Sequence, residues 1–177
     1  LYRIADVVMG VIANVFYLEK GFNISEIATY SKFFGVFATI LGGFLGGIFA
    51  LKFGTMRALF LGALIAAASN LLFAWLAISP ISIKFLIVVI TADNISSGFA
   101  GAAFVIYLSG LTSVKFTATQ YALFSSIMLF LPKLIAGYSG SWVDIMGYAN
   151  FFTLTAILGI PVLLMIVWIS KVAPIKN

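Results

Sequence analysis

Asp93 is the side chain best placed for chemistry in this sequence, because its carboxyl group stands inside a long apolar run. Residues 83–111 contain no proline and, apart from Lys84, no other ionisable residue. The run therefore predicts one helix, longer than the ~20 residues that a bilayer core requires. At about 1.5 Å per residue, Asp93 would lie roughly 15 Å from the helix start, near the middle of a ~30 Å hydrocarbon core.

A carboxyl group at that depth must be neutralised, paired or exposed to water. We interpret Asp93 and Asn94 either as a proton site or as a hydrogen-bonding pair for hydroxyl and amide groups of a substrate. The alternative is a structural ion pair between Asp93 and Lys133 or Lys32. Because unpaired charges at mid-membrane depth are costly and rare, the functional interpretation is favoured.

The first apolar segment carries a stripe of polar and small residues at helical spacing. Its members, three, four, four and three residues apart, are Arg3, Asp6, Gly10, Asn14 and Tyr17. That spacing predicts a single helix face, directed to protein or water. Arg3 would then meet a substrate carboxylate while Asp6 orients Arg3 or carries a proton. Alternatively, Arg3 and Asp6 form a local ion pair at the cytoplasmic end, and Asn14 bonds a neighbouring helix.

Three further polar residues lie within or beside apolar runs. Lys133 follows Pro132, which is expected to kink its helix; the lysine is either an anion contact at a gate or a side chain that reaches the membrane surface. Lys32 is a weaker candidate for substrate contact, because it lies only roughly 7 Å into its span at ~1.5 Å per residue. Gln120 is a candidate substrate contact beside threonines that are typical of a helix N-cap.

Composition identifies an integral membrane protein. Hydrophobic residues make up 63% of the chain and charged residues 8%, whereas soluble domains carry about 25% charged residues. The absence of Cys and His removes disulfides and the usual zinc and haem ligands, so no metal or cofactor is predicted. The net charge of +5 comes from scattered single residues, which argues against nucleic-acid binding. No nucleophile and base stand at a recognisable spacing, so an enzyme is not expected.

Apolar runs separated by short polar turns predict six transmembrane helices within a single domain, residues 1–177. The predicted spans are Leu1–Leu18, Ile27–Leu51, Arg57–Ser79, Ile83–Leu111, Thr119–Trp142 and Asn150–Ile169. Short turns make neighbouring helices antiparallel. Lys and Arg favour the side of Leu1 by six to three, which predicts that both termini are cytoplasmic.

Two turns share a pattern, Gly47–Gly54 (GIFALKFG) and Gly140–Gly147 (GSWVDIMG), with Asp144 in the second. They end the second and fifth predicted helices, as expected if helices one to three are repeated by helices four to six. Three plus three helices, inverted in the membrane, form half of a transporter.

Several runs resemble the major facilitator superfamily. Its signature G-x-x-x-D-R-x-G-R-R is matched by Gly47, by Lys52 in the arginine place and by Gly54. Leu51 replaces the aspartate, Thr55 and Met56 replace the basic pair, and Arg57 stands in for that pair. More specific are LYRIAD (1–6), FGVFATILGGFLGG (34–47), ASNLLFAW (68–75) and FTATQYALFSS (116–126). Together these runs resemble the C-terminal six helices of AmpG-type muropeptide permeases, relatives of the acetyl-coenzyme A transporter family.

The resemblance implies a twelve-helix, proton-driven symporter of the bacterial inner membrane that imports anhydromuropeptides for cell-wall recycling. This chain would be the second half, with a missing N-terminal six-helix half, membrane lipid, protons and a muropeptide-like molecule as partners. One alternative is another anionic substrate such as acetyl-coenzyme A, bound with help from Arg3, Lys32 and Lys133. The other is a non-transporting six-helix fragment or scaffold.

Overall fold

Helices form throughout the part of the chain that the structure describes, as the apolar runs predict. The computed structural model describes residues 2–111 and 117–172, so Leu1, Lys115 and Lys176, used above for the spans and the topology, lie outside the described residues. The helices are α1 (Ile4–Lys20), α2 (Ile24–Thr29), α3 (Gly35–Phe53), α4 (Thr55–Ile78), α5 (Ile83–Leu111), α6 (Thr117–Ala136), α7 (Ser139–Ile157) and α8 (Gly159–Val172). A π-helical turn, Tyr30–Phe34, joins α2 to α3.

Five helical segments in the described ranges are long and apolar enough to cross a bilayer: residues 24–53, 55–78, 83–111, 118–136 and 139–172. Helix α5 has the same bounds as the fourth predicted span, Ile83–Leu111. Helix α1 has 17 residues, about 26 Å at 1.5 Å per residue, so it is shorter than a ~30 Å hydrocarbon core.

The second predicted span begins earlier than expected and contains an irregular turn. Helix α2 starts at Ile24 instead of Ile27, with Asn23 as its N-cap. The Asn23 backbone N–H donates to the Glu26 carboxylate at 3.0 Å, which stabilises this start. The π-helical turn contains Lys32 and was not predicted. Because a π turn adds one residue to a helical turn, it changes the direction of the side chains that follow.

The predicted bounds of the fifth and sixth spans are wrong. Helix α6 ends at Ala136, before Trp142, and the backbone turns at Gly137 and Tyr138 before α7 begins. Gly137 favours this end because glycine is a poor helix former. The sixth span is interrupted between α7 and α8, since Pro161 has no N–H to donate to the carbonyl group of Ile157.

Helix α1 runs beside α4 in the same direction. The Tyr2 hydroxyl donates to the Leu59 carbonyl at 3.2 Å near one end, and Lys20 Nζ donates to the Ala77 carbonyl at 2.7 Å near the other. Helix α3 packs along α5, α5 along α4, and α4 along α7 and α8, while α1 also contacts α6 and α7. Buried aromatic rings fill the space between α1, α4 and α7; they include Phe16, Phe73 and Phe152.

The two glycine turns noted in the sequence share one backbone conformation. Gly54, between α3 and α4, has φ 92° and ψ 152°, and Gly147, within α7, has φ 77° and ψ 165°. This region of positive φ is essentially restricted to glycine. The second turn is therefore only one residue wide.

Glycines allow α3 and α5 to touch backbone to backbone. A Cβ atom on Gly42 would lie 2.2 Å from the Ile95 carbonyl oxygen, and one on Gly98 would lie 2.1 Å from the Thr39 carbonyl oxygen. Gly46 faces Phe99 in the same way. By contrast, a Cβ on Gly47 or Gly101 would meet nothing within 4 Å. Close approach of this kind is how small residues hold membrane helices together.

Helix α6 is the least covered long helix of the described chain. It packs mainly on α1, and its large apolar side chains are mostly exposed, among them Leu123, Ile127, Phe130 and Leu134. This exposed face extends the apolar surface formed by Val11 and Val15 of α1.

Asn70 of α4 is fully buried, at 0% exposure, and its amide has no hydrogen-bond partner among the described residues.

Replacing Asn70 by Leu is expected to raise the unfolding temperature in detergent, because a buried polar group without a partner costs about 1–3 kcal/mol. Ser139→Ala is the matched control. The Ser139 hydroxyl, also buried, donates to the Val8 carbonyl at 3.1 Å, so its loss should lower the unfolding temperature. An Asn70→Leu protein less stable than the wild type would contradict this prediction.

Candidate functional site

Arg3 precedes α1 and connects this helix with α5. Its Nη2 atom donates to the Ser97 hydroxyl at 2.7 Å. Nε and Nη2 both lie 3.4 Å from Asp6 Oδ2. Ser97 stands at the midpoint of the 29-residue helix α5, so the guanidinium group lies deep among the helices. The local Arg3–Asp6 ion pair is present at the first turn of α1, and its contact with Ser97 places it level with the middle of α5.

Asp93 lies one helical turn before Ser97, beside the same ion pair. The charges of Asp6 and Arg3 both act on its carboxyl group, and the Ser69 hydroxyl of α4 lies next to it. Ser96 donates to Ser69 at 3.1 Å. One guanidinium group and two carboxyl groups therefore share a region near the middle of the longest helix.

The two lysines considered as partners of Asp93 are elsewhere. Lys32 and Lys133 are both exposed, and Arg3–Asp6 is the one ion pair among the described residues. A structural salt bridge from Asp93 to either lysine is therefore not observed. Pro132 is buried inside α6, while Lys133 points away from the packed surface.

The polar stripe of α1 divides into two parts. Gly10 and Asn14 are exposed, on the side of the helix that no described element covers. Tyr17 is buried at 4% exposure, and its ring stacks on Phe73 at 5.9 Å. The stripe is therefore open at Gly10 and Asn14 and packs against α4 at Tyr17.

Asn94 connects α5 to the beginning of α3. Its Nδ2 atom donates to the Ile90 carbonyl at 2.8 Å, and it accepts a hydrogen bond from the Thr39 hydroxyl at 3.0 Å. Gly35, directly after the π-helical turn, leaves room for this amide, since a Cβ there would lie 3.2 Å from Asn94 Nδ2. Asn94 thus joins two helices and stands apart from the Arg3–Asp6–Ser97 contact.

The remaining candidates lie at helix ends. Gln120 is half-buried in the first turn of α6. Near Gly54, Lys52 lies 5.3 Å above the Phe53 ring and Arg57 is exposed. Leu51, which replaces the signature aspartate, is 87% exposed.

Gly140 and Asp144 are exposed at the opposite end, near Gly147. Here the Tyr148 hydroxyl donates to the Glu19 carboxylate of α1 at 2.8 Å. This contact places the Gly147 turn beside the end of α1, whereas Gly54 lies beside its beginning.

Hydroxyl residues were the part of the site that sequence reasoning missed. Ser97 binds Arg3, Ser69 lies beside Asp93, and Thr39 binds Asn94. Of these three residues, only Ser97 could have been found from the sequence, because a position four residues after Asp93 lies on the same helix face.

No family model matches the chain. It is 34% identical over 170 residues, 96% of its length, to Putative transporter AmpG 4 of Rickettsia felis. It is 36% identical over 170 residues to Putative transporter AmpG 1 of Rickettsia prowazekii, and 35% identical over 165 residues to Putative transporter AmpG 3 of that organism. The chain is a homologue of these AmpG proteins.

The AmpG homologues confirm the resemblance drawn from the sequence runs, and they are named as transporters, not as enzymes. Together with the five apolar helical segments, they make the chain an integral membrane protein. The chain covers only 41% of the length of the first relative, 38% of the second and 39% of the third.

Proposed function

We propose that this chain is half of a secondary transporter that imports a muropeptide-like substrate together with protons across the bacterial inner membrane. The observation that carries the proposal is the Arg3–Asp6 ion pair with Asp93 beside it, near the middle of α5. Ionisable residues at such depth in membrane helices mark substrate paths and proton relays.

The packing supports a three-plus-three arrangement of one domain. In such a repeat, the second and fourth spans correspond to the fifth and first spans. The second span packs on the fourth through α3 and α5, and the fifth span packs on the first through α6 and α1. The third and sixth spans also correspond in the repeat. The third span packs on the fourth, and the sixth span likewise packs on the first. Gly54 and Gly147 have the same backbone conformation at opposite ends of the helices, as an inverted repeat requires.

A second six-helix half is the partner in this proposal. The chain spans about two fifths of the length of its relatives, and the open faces of α1, α3 and α6 are apolar. Alternating access would move the two halves around a site between them.

Arg3 suits a substrate that carries carboxylate groups. Its side chain is 30% exposed, whereas that of Asp6 is 13% exposed, so the guanidinium group remains partly accessible. Asn14, on the uncovered face of α1, adds an amide for sugar hydroxyl and peptide groups. Asp6 would orient Arg3, and Asp93 would carry the proton.

Uptake of labelled anhydromuropeptide tests this function in permease-deficient cells that express the chain with an upstream half. We expect accumulation that stops when the proton gradient is collapsed and that unlabelled anhydromuropeptide inhibits. Inhibition by acetyl-coenzyme A instead would assign another anionic substrate. No uptake by a well-expressed and associated pair would overturn the proposal, and failure of the two halves to associate would favour a non-transporting fragment.

A further inference from the structure

Ser97 holds the guanidinium group of Arg3 more closely than Asp6 does. The Arg3–Ser97 distance is 2.7 Å, and the nearest Arg3–Asp6 distance is 3.4 Å. A neutral hydroxyl is thus the near partner of a partly buried cation, although two carboxyl groups lie in the same region.

Asp93 and Ser97 offer Arg3 two alternative partners on one helix face. They are four residues apart, so they stand one above the other, about 6 Å apart along α5. The charge of Arg3 already acts on Asp93. An arginine side chain has enough rotatable bonds to move between such neighbours without unfolding either helix.

The other charged and titratable groups around Asp93 come from α1. Asp6 and Arg3 act on its carboxyl group, and Asp93 in turn acts on Tyr17. From α4 the polar neighbour is Ser69, which does not titrate. Lys32 and Lys133, on elements beside α1 and α5, are exposed and do not pair with Asp93.

We propose that Ser97 is a positioning residue that receives the Arg3 guanidinium group while Asp93 is protonated, and that Arg3 moves to Asp93 when the proton leaves. This inference rests on the proposed proton coupling and specifies how α1 would detect the proton. In the protonated state, Asp93 no longer attracts the cation, and the Ser97 hydroxyl satisfies its N–H groups. In the deprotonated state, Arg3 neutralises the carboxylate, which would otherwise be an unpaired charge in a low-dielectric region.

Arginine-selective NMR tests the movement directly, because Arg3 and Arg57 are the two arginines of the chain. The chain would be labelled with ¹⁵N-arginine and reconstituted in lipid with an unlabelled six-helix half. We expect the Arg3 side-chain signals to change with pH, while those of the exposed Arg57 stay constant. In Asp93→Asn, which mimics the protonated acid, the Arg3 signals should remain at the acidic position at every pH. A pH-independent Arg3 signal in the wild type, or an unaltered titration in Asp93→Asn, would overturn the inference.

Uptake as a function of pH supplies the second readout. Ser97→Ala removes the partner of the protonated state, so half-maximal uptake should move to lower pH. Ser97→Thr keeps the hydroxyl and should retain the wild-type profile. Ser170→Ala is the control, since Ser170 donates to its own helix at the Val167 carbonyl, 2.7 Å away. A Ser97→Ala protein with a lower rate but an unshifted profile would reduce Ser97 to a structural role and overturn the inference.

The two readouts separate the inference from the proposed function. If the wild type shows no uptake but its Arg3 signal titrates, Asp93→Asn abolishes that titration and Ser97→Ala moves it to lower pH, the substrate assignment fails and the role of Ser97 stands. If uptake is proton-driven but Arg3 does not respond to pH, the transporter stands and the role of Ser97 fails. Asp93→Asn and Ser97→Thr keep both conclusions testable should Ser97→Ala not fold.

Discussion

Replacing Asp93 by Asn is expected to reduce proton-driven accumulation of substrate to the level of cells that lack the chain. Asparagine keeps the shape and the hydrogen-bonding capacity of the side chain but cannot release a proton. Exchange of internal for external substrate, which needs no net proton movement, should persist. Uptake and exchange measured in the same membrane vesicles would distinguish a defect in coupling from a defect in binding.

Asp144→Asn is the matched control for this prediction. It makes the same chemical change at an exposed carboxyl group of α7, far along the chain from the Arg3–Asp6 pair. Its accumulation and exchange should both match the wild type. Accumulation that survives in Asp93→Asn would exclude Asp93 as the coupling residue, and loss of both activities would indicate a structural or binding role.

Replacing Gly42 by Ala is expected to destabilise the protein by about 1–3 kcal/mol or more, the usual range for an overpacked contact. The added Cβ would lie 2.2 Å from the Ile95 carbonyl oxygen, so α3 would have to move away from α5. Gly98→Ala should act similarly from the other side, where the nearest atom is the Thr39 carbonyl oxygen at 2.1 Å. Thermal unfolding in detergent, followed by the loss of monodisperse protein, measures this effect.

Gly47→Ala and Gly101→Ala are controls on the same two helices. A Cβ at either position meets nothing within 4 Å, and alanine favours a helix more than glycine does. Both variants should be as stable as the wild type or slightly more stable. Equal destabilisation by Gly42→Ala and Gly47→Ala would show that helix–helix contact is not the cause.

The sequence predicted the helices best where chain composition alone decides them. Helix α5 has its predicted bounds because residues 83–111 contain no proline and only two charged residues, Lys84 and Asp93. The π-helical turn around Lys32 could not be predicted, because no residue type there demands it and the contact of Gly35 with Asn94 depends on a distant helix. The ends of α6 and α7 were predicted wrongly for a different reason. Single residues, Gly137 and Pro161, interrupt the helices there, and no polar turn marks either position.

In the candidate site, too, contacts between neighbours in the sequence were predicted and contacts between distant residues were not. Helical spacing correctly placed Arg3 and Asp6 together, because both lie on one helix within a single turn. The contact between Arg3 and Ser97 joins residues 94 positions apart, and local pattern carries no information on how deep α1 sits beside α5.

The exposed face of α6 bears on how the chain matures in a cell. During synthesis, α3 and α5 can associate through their glycines as soon as both are in the membrane, whereas α6 emerges afterwards with little surface in this chain to receive it. We expect α6 to stay in contact with lipid until a covering surface arrives. The lifetime of newly made chains should then depend on the amount of protein that can cover α6. Chains made in excess of that protein should be degraded first, and their degradation should begin at α6.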